Sequence, residues 1–180
     1  MAFNQLSSTS TQENPHQSNV EQFLQLHLVP DSTIMLPVAQ LTEVLAIPLG
    51  QIIPIPQMPS WVMGVYNWRG EVLWLVDLGA LLGLTPWHEQ PLTTPVHRAV
   101  VLRSTSESSS RIASGRQILG LVVSRIEEMA WCNPAEIQSP PASAITQNLA
   151  PFLRGYWLNP QGEMLVVLDG NAIMSAMSNY

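Results

Sequence analysis

The chain repeats itself, and that limits what it can fold into more than any other feature of the sequence. Gly70-Glu-Val-Leu-Trp-Leu-Val-Asp77 returns as Gly162-Glu-Met-Leu-Val-Val-Leu-Asp169, with Gly, Glu, Leu and Asp recurring at a constant offset (70 to 162, 77 to 169). Upstream, Trp61-Val-Met-Gly64 resembles Phe152-Leu-Arg-Gly155; downstream, Leu81-Leu82 matches Ile173-Met174. A weaker pairing lays Pro37 to Val44 on Val122 to Met129, with Val38/Val123 and Glu43/Glu128 identical. Each half therefore runs through an early strand with a Glu, a Pro-bearing connection, a Gly, a hairpin, an Asp and a short helix. Two copies that bury facing surfaces give one body with a pseudo-twofold relation.

Local pattern makes the repeated unit a β unit. Residues 22–29 alternate Leu24, Leu26 and Leu28 with Gln25 and His27, the period of a half-buried strand. Residues 35–38, 62–68, 72–76, 98–102, 118–123 and 164–168 are short, β-branched or aromatic, and bounded by Gly, Pro or polar residues. Helices are expected only at 78–82, stopped by Gly83, and at 171–177; the chain's 15 prolines argue against long ones. The turns at Asn67-Trp-Arg-Gly70 and Asn159-Pro-Gln-Gly162 supply Asn and Gly, residues that tolerate positive φ, between apolar strands. Asp77 and Asp169 stand where strand becomes helix, the place of an N-cap. Residues 1–19 are rich in Ser, Thr, Gln and Asn and are expected to be a disordered arm. Residues 104–115 read as a polar hairpin loop, and 85–95, with Pro86, Pro91 and Pro95, as a linker.

The composition excludes several chemistries. A net charge of −6 argues against a nucleic-acid surface. All seven cations are arginines; a P-loop and Schiff-base catalysis both need a lysine. Cys132 is the one cysteine, so neither an intrachain disulfide nor a Cys-rich zinc site can be built. His16, His27, His88 and His97 show no metal-ligand spacing, and no G-x-S-x-G elbow is present. The run at 72–76 is far too short to span a bilayer. The expectation is a non-enzymatic binding module without metal or cofactor, located in the cytoplasm. Against it stands a small-ligand-binding double β-barrel, which would require a deep polar pocket.

The two copies differ most at the first hairpin turn. Asn67, Trp68 and Arg69 put a cation beside an indole, where the second copy has Gln161 in place of Arg69. Arg and Trp are enriched at interface hot spots; the alternative is a surface ion pair of little worth.

At these residues a family becomes visible. Gly64-Val-Tyr-Asn-Trp-Arg-Gly-Glu-Val-Leu-Trp-Leu-Val-Asp-Leu78, followed by Leu81-Leu-Gly83, resembles the signature of the CheW chemotaxis adaptors. Leu36 to Val44, the proline-rich 53–59, 119–126 and the hairpin from Gly155 to Asp169 resemble other blocks of that family in order and spacing. The resemblance implies two SH3-like five-stranded barrels in one domain over 20–178, with the first barrel at about 20–85 and the second at about 96–178. It also implies an adaptor that bridges chemoreceptor tips to the regulatory domain of a CheA-type histidine kinase, recruited to receptor arrays. Carried over by position, the contact residues are Glu43, Val44, Gly64, Asn67, Arg69 and Gly70, with Trp68 in place of the family's common leucine. Gly64 and Gly70 are expected to act through backbone geometry. Ser124 replaces the usual aspartate, and Trp74 stands where proline is frequent. Those departures suggest a specialised array, for type IV pilus motility or phototaxis.

Overall fold

The computed structural model of the chain describes residues 19–90, 95–104, 118–140 and 145–177. The expected arm, except Asn19, and nearly all of the polar loop lie outside these residues. Among the described residues, ten strands form two five-stranded sheets. The first sheet has the order β8-β1-β2-β10-β9, and the second β3-β6-β7-β5-β4. The strands are β1 (Glu21–Leu28), β2 (Ser32–Pro37), β3 (Leu41–Pro48), β4 (Val62–Trp68) and β5 (Glu71–Asp77), then β6 (Val96–Arg103), β7 (Ile118–Val123), β8 (Arg125–Cys132), β9 (Leu153–Leu158) and β10 (Met164–Leu168). Helix α1 (Leu78–Leu81) follows β5 and α2 (Gly170–Met177) follows β10. The fold is thus mostly β with five strands to a sheet and two short helices, as expected.

The expected division into a barrel at 20–85 and another at 96–178 is corrected by the strand order. The first sheet takes β1 and β2 from the first repeat and β8, β9 and β10 from the second. The second sheet takes the complementary set. The exchange runs through two parallel pairings, Val166 opposite Ile34 and Leu75 opposite Gly120, and two antiparallel ones, β1 with β8 and β3 with β6. A repeat that closes on itself and one that trades strands with its copy make the same local contacts, so sequence periodicity cannot distinguish them. Nor is the 85–95 segment a bare linker. It contains a 3-10 turn at Trp87–Glu89, and Trp87 packs on the core of the second sheet.

Each sheet encloses its own core. Ile47, Met63, Leu73, Leu75, Ala99, Val101 and Val122 come from all five strands of the second sheet. Ile47 lies on an edge strand yet is fully buried, so the sheet curls around this cluster. Phe23, Met35, Cys132, Trp157, Leu165 and Val167 do the same for the first sheet. A third cluster, including Leu26, Leu36, Val76, Val100, Leu121 and Leu168, joins the sheets. Successive strand residues face opposite ways. Ala99 and Val101 therefore fill one core while Val100 and Leu102 fill another. Burial on both faces explains the continuous apolar runs in β6, β7 and β10.

The two aspartates cap as expected. Asp77 Oδ1 accepts from Ala80 N at 3.1 Å, and its Oδ2 accepts from Trp87 N at 2.7 Å. Asp169 Oδ1 accepts from Asn171 N at 2.9 Å.

Candidate partner-binding site

The β4–β5 hairpin pairs Trp68 with Glu71, which leaves a two-residue loop of Arg69 and Gly70. Both have positive φ, 54° and 85°, as the hairpin turns that match strand twist require. The expectation that Asn67 supplies positive φ is corrected here. Asn67 belongs to the strand, and its Oδ1 accepts from Gly70 N at 3.0 Å, closing the turn from outside. The cost of a left-handed conformation therefore falls on Arg69, a residue with a Cβ.

Arg69 is held by Glu43. On β3, Glu43 belongs to the inward-facing set that continues with Leu45 and Ile47, but it lies at the open end of that core. Its Oε2 pairs with Arg69 Nη2 at 2.7 Å, and its Oε1 accepts from the Trp68 indole N–H. The Arg69 guanidinium stands 5.1 Å from the centroid of the Trp68 ring. One carboxylate thus fixes a cation and an aromatic that also contact each other. The result is a planar apolar surface, a guanidinium 70% exposed at its side chain, and an acid that is only 25% exposed. Such a group can recognise a partner through stacking and directed hydrogen bonds. Trp68 also packs on the core of the second sheet, which anchors the cluster.

The other expected site residues are placed differently. Val44 points away from Glu43, as strand alternation demands, and is exposed on the outer face of edge strand β3. Gly64 lies at a register shift in the β4–β5 ladder. There Ile53 and Val65 exchange two backbone hydrogen bonds of 2.9 Å. A Cβ on Gly64, with φ at 139°, would overlap the Ile53 carbonyl oxygen and stand 2.8 Å from its carbon. Gly64 is an architectural residue. Its repeat counterpart Gly155 faces Gln138 in the same way, with its Cβ position 2.6 Å from the Gln138 oxygen.

One surface was not foreseen as such. Met129, Trp131, Leu158 and Met164 are large apolar side chains, each about three-fifths exposed, on the first sheet. Met129 and Met164 are the repeat counterparts of exposed Val44 and Val72, so the repeat alignment itself carried the signal. Glu128, the counterpart of Glu43, has no ion-pair or hydrogen-bond partner among the described residues; Pro160 and Gln161 stand where the first repeat has Trp68 and Arg69. No group of three or more potential metal ligands occurs among the described residues. No helix there is long and apolar enough to cross a membrane.

Two strand-exchanged β sheets that present a braced aromatic–cation cluster define a binding scaffold. The CheW-like domain family matches residues 24–178, and the chain belongs to that family. It is 28% identical over 120 residues to a chemotaxis protein CheW of Rhizobium meliloti, covering 67% of each chain. It is also 28% identical over 122 residues to a probable chemotaxis protein CheW of Rhizobium etli, covering 67% of this chain and 68% of that one. The scaffolding protein TtCheW from Thermoanaerobacter tengcongensis has the same fold, with a TM-score of 0.65, 19% identity, and coverage of 83% of this chain and 88% of that one. The family is one of scaffolding and adaptor proteins of chemotaxis, not of enzymes.

Proposed function

We propose that this chain is an adaptor that couples chemoreceptor signalling tips to the regulatory domain of a CheA-type histidine kinase. The observation that carries the reading is the Glu43–Trp68–Arg69 cluster. It falls on the turn that most resembles the family's signature, and it exists only in one of the two repeats. Architecture alone would not require it, since the Asn159–Gly162 turn closes without a counterpart. There, Asn159 Oδ1 accepts from Gln161 N and Glu163 N at 3.0 and 2.8 Å. An adaptor needs two separate faces. The cluster on the second sheet and the exposed Met129, Trp131, Leu158 and Met164 on the first offer chemically different ones.

Trp68, Trp74 and Ser124 depart from the common family pattern, and this supports assignment to a specialised array serving pilus-driven motility or phototaxis. The coupling role is tested by co-sedimentation of the full chain with the cognate receptor tip and kinase regulatory domain. The adaptor reading predicts that kinase domain is retained with receptor only when this chain is added. Binding to neither at micromolar concentration contradicts it. Deletion of the gene tests the assignment to an array: pilus or phototactic movement should be lost, and loss of flagellar swimming alone would refute that assignment.

A further inference from the structure

The outer face of β8 carries two large apolar side chains. Met129 and Trp131 stand two residues apart and point out of the first sheet, while Ala130 and Cys132 pack on its core. Met129 is 58% exposed and Trp131 63%. Gln22 lies on the same face, where its Nε2 donates to Met129 Sδ at 3.1 Å. β8 is also an edge strand of its sheet, and an exposed apolar edge is a surface that folded proteins normally cover.

Residues 1–18 lie outside the described residues, but their sequence and their point of entry are both known. We propose that segment 1–6 is the cover of this face: it docks on Trp131 and Met129 of its own chain through Met1, Phe3 and Leu6, and withholds them from other partners until it is displaced.

The point of entry puts the segment within reach. β1 pairs with β8 so that Glu21 lies opposite Cys132, Gln22 opposite Trp131 and Leu24 opposite Met129. The chain therefore enters the fold beside Trp131. From Asn19 to the level of Met129 is about 17 Å along β1. Residues 7–18 can span at most about 40 Å, so the segment can turn back and meet both side chains.

The sequence of 1–18 is divided in a way that suits a tethered cover. Met1, Ala2, Phe3 and Leu6 make an apolar head, and SSTSTQENPHQS at 7–18 has no hydrophobic residue apart from Pro15. The head carries no acid, so Glu127 and Glu128 on the same strand do not repel it. A tether of this length holds its head at a local concentration in the millimolar range, which populates a contact too weak to form between separate molecules. A second copy of the chain is the poorer occupant, because two bodies of net charge −6 repel each other. The inference concerns one of the two faces assigned to the adaptor, but it does not rest on that assignment, since its test contains no other protein.

The test places a nitroxide on the full chain at Asn4→Cys; native Cys132 is buried and leaves the new thiol as the reactive one. NMR then follows the Trp131 indole N–H and the Met129 methyl, with Trp68 and Met63 of the second sheet as references. The proposal expects strong broadening of Trp131 and Met129 and little at the references. Phe3→Ser with Leu6→Ser keeps the tether and removes the head, so most of that broadening should be lost while the melting temperature stays at its wild-type value. Equal broadening in this double variant would show mere tethering and overturn the proposal, as would broadening at Trp131 no greater than at Trp68. Mixing nitroxide-labelled chain with isotope-labelled, unmodified chain decides between the two copies. Broadening of Trp131 in that mixture would make a second chain the occupant and also overturn the proposal.

Discussion

Glu43 on β3 and Arg69 in the β4–β5 turn are 26 residues apart in the chain and 2.7 Å apart in space. The same carboxylate accepts from the Trp68 indole. A side chain with 70% exposure gains little stability from such a pair. Its geometry, in contrast, is fully determined. The first prediction follows from that separation of stability from geometry. Arg69→Ala should cost less than about 1 kcal/mol, or under about 4 °C in melting temperature. Arg69→Gly should cost less still, because glycine relieves the positive φ of 54°. Both variants should lose partner binding alike, as thermal melts beside binding isotherms would show.

Gly64 and Gly70 both fall within the family signature, but they should fail very differently. Around Gly70 nothing stands within 4 Å of a Cβ, so Gly70→Ala meets only the conformational cost of φ at 85°, about 1–2 kcal/mol. Gly64→Ala adds a collision with the Ile53 backbone and should cost about 3 kcal/mol or more. Urea unfolding of the two variants distinguishes these roles. Equal losses would show that Gly64 is not held by its contact with Ile53.

The two capping aspartates are equivalent by repeat but not by burial. Asp77 is 4% exposed and bonds two separate segments. Asp77→Ala should cost about 2–3 kcal/mol, and Asp169→Ala about 1 kcal/mol, the ordinary value of an N-cap. Comparison of the two melting temperatures checks the ranking.

Burial lowers the pKa of His97 from its ordinary 6.5. The unfolded chain therefore takes up the proton first as pH falls, and it is the state that acid favours. Stability should be unaffected by this group above 6.5, and should decline as pH falls from there to the folded-state value. His97→Gln should flatten that part of the pH–stability curve, measured by denaturant unfolding between neutral and mildly acidic pH.

Burial also pushes the Cys132 thiol up to about 11. At neutral pH it should react with a disulfide reagent far more slowly in the folded chain than after unfolding. Fast modification of the native chain, followed by absorbance, would contradict its place in the core of the first sheet.

Much of the fold was legible because it is written locally. Seven of the ten strands announce themselves by alternation or by β-branched runs. Strands β3, β8 and β9 do not, since Glu43, Glu127, Glu128 and Arg154 break the apolar pattern on edge positions; only the repeat and the family resemblance point to them. The exchange of strands between the repeats was not legible at all, because parallel pairing of β2 with β10 joins segments from opposite ends of the chain. At the candidate site, the sequence singled out Glu43, Trp68 and Arg69 separately. Nothing in their spacing says that one carboxylate joins them, or that Val44, one residue on, faces the other way. His97 is a similar case: it looks like one polar residue beside a linker, and only the packing of Trp87 shows it buried.

The central claim is that the Glu43–Trp68–Arg69 cluster contacts a partner. The most direct measurement is isothermal titration of wild-type and Arg69→Ala protein with the receptor tip and, separately, with the kinase regulatory domain. We expect Arg69→Ala to bind one of the two about tenfold or more weakly, as loss of an interface hot spot would produce. Affinity for the other partner and the melting temperature should be nearly unchanged. Wild-type affinity of Arg69→Ala for both partners would contradict the claim.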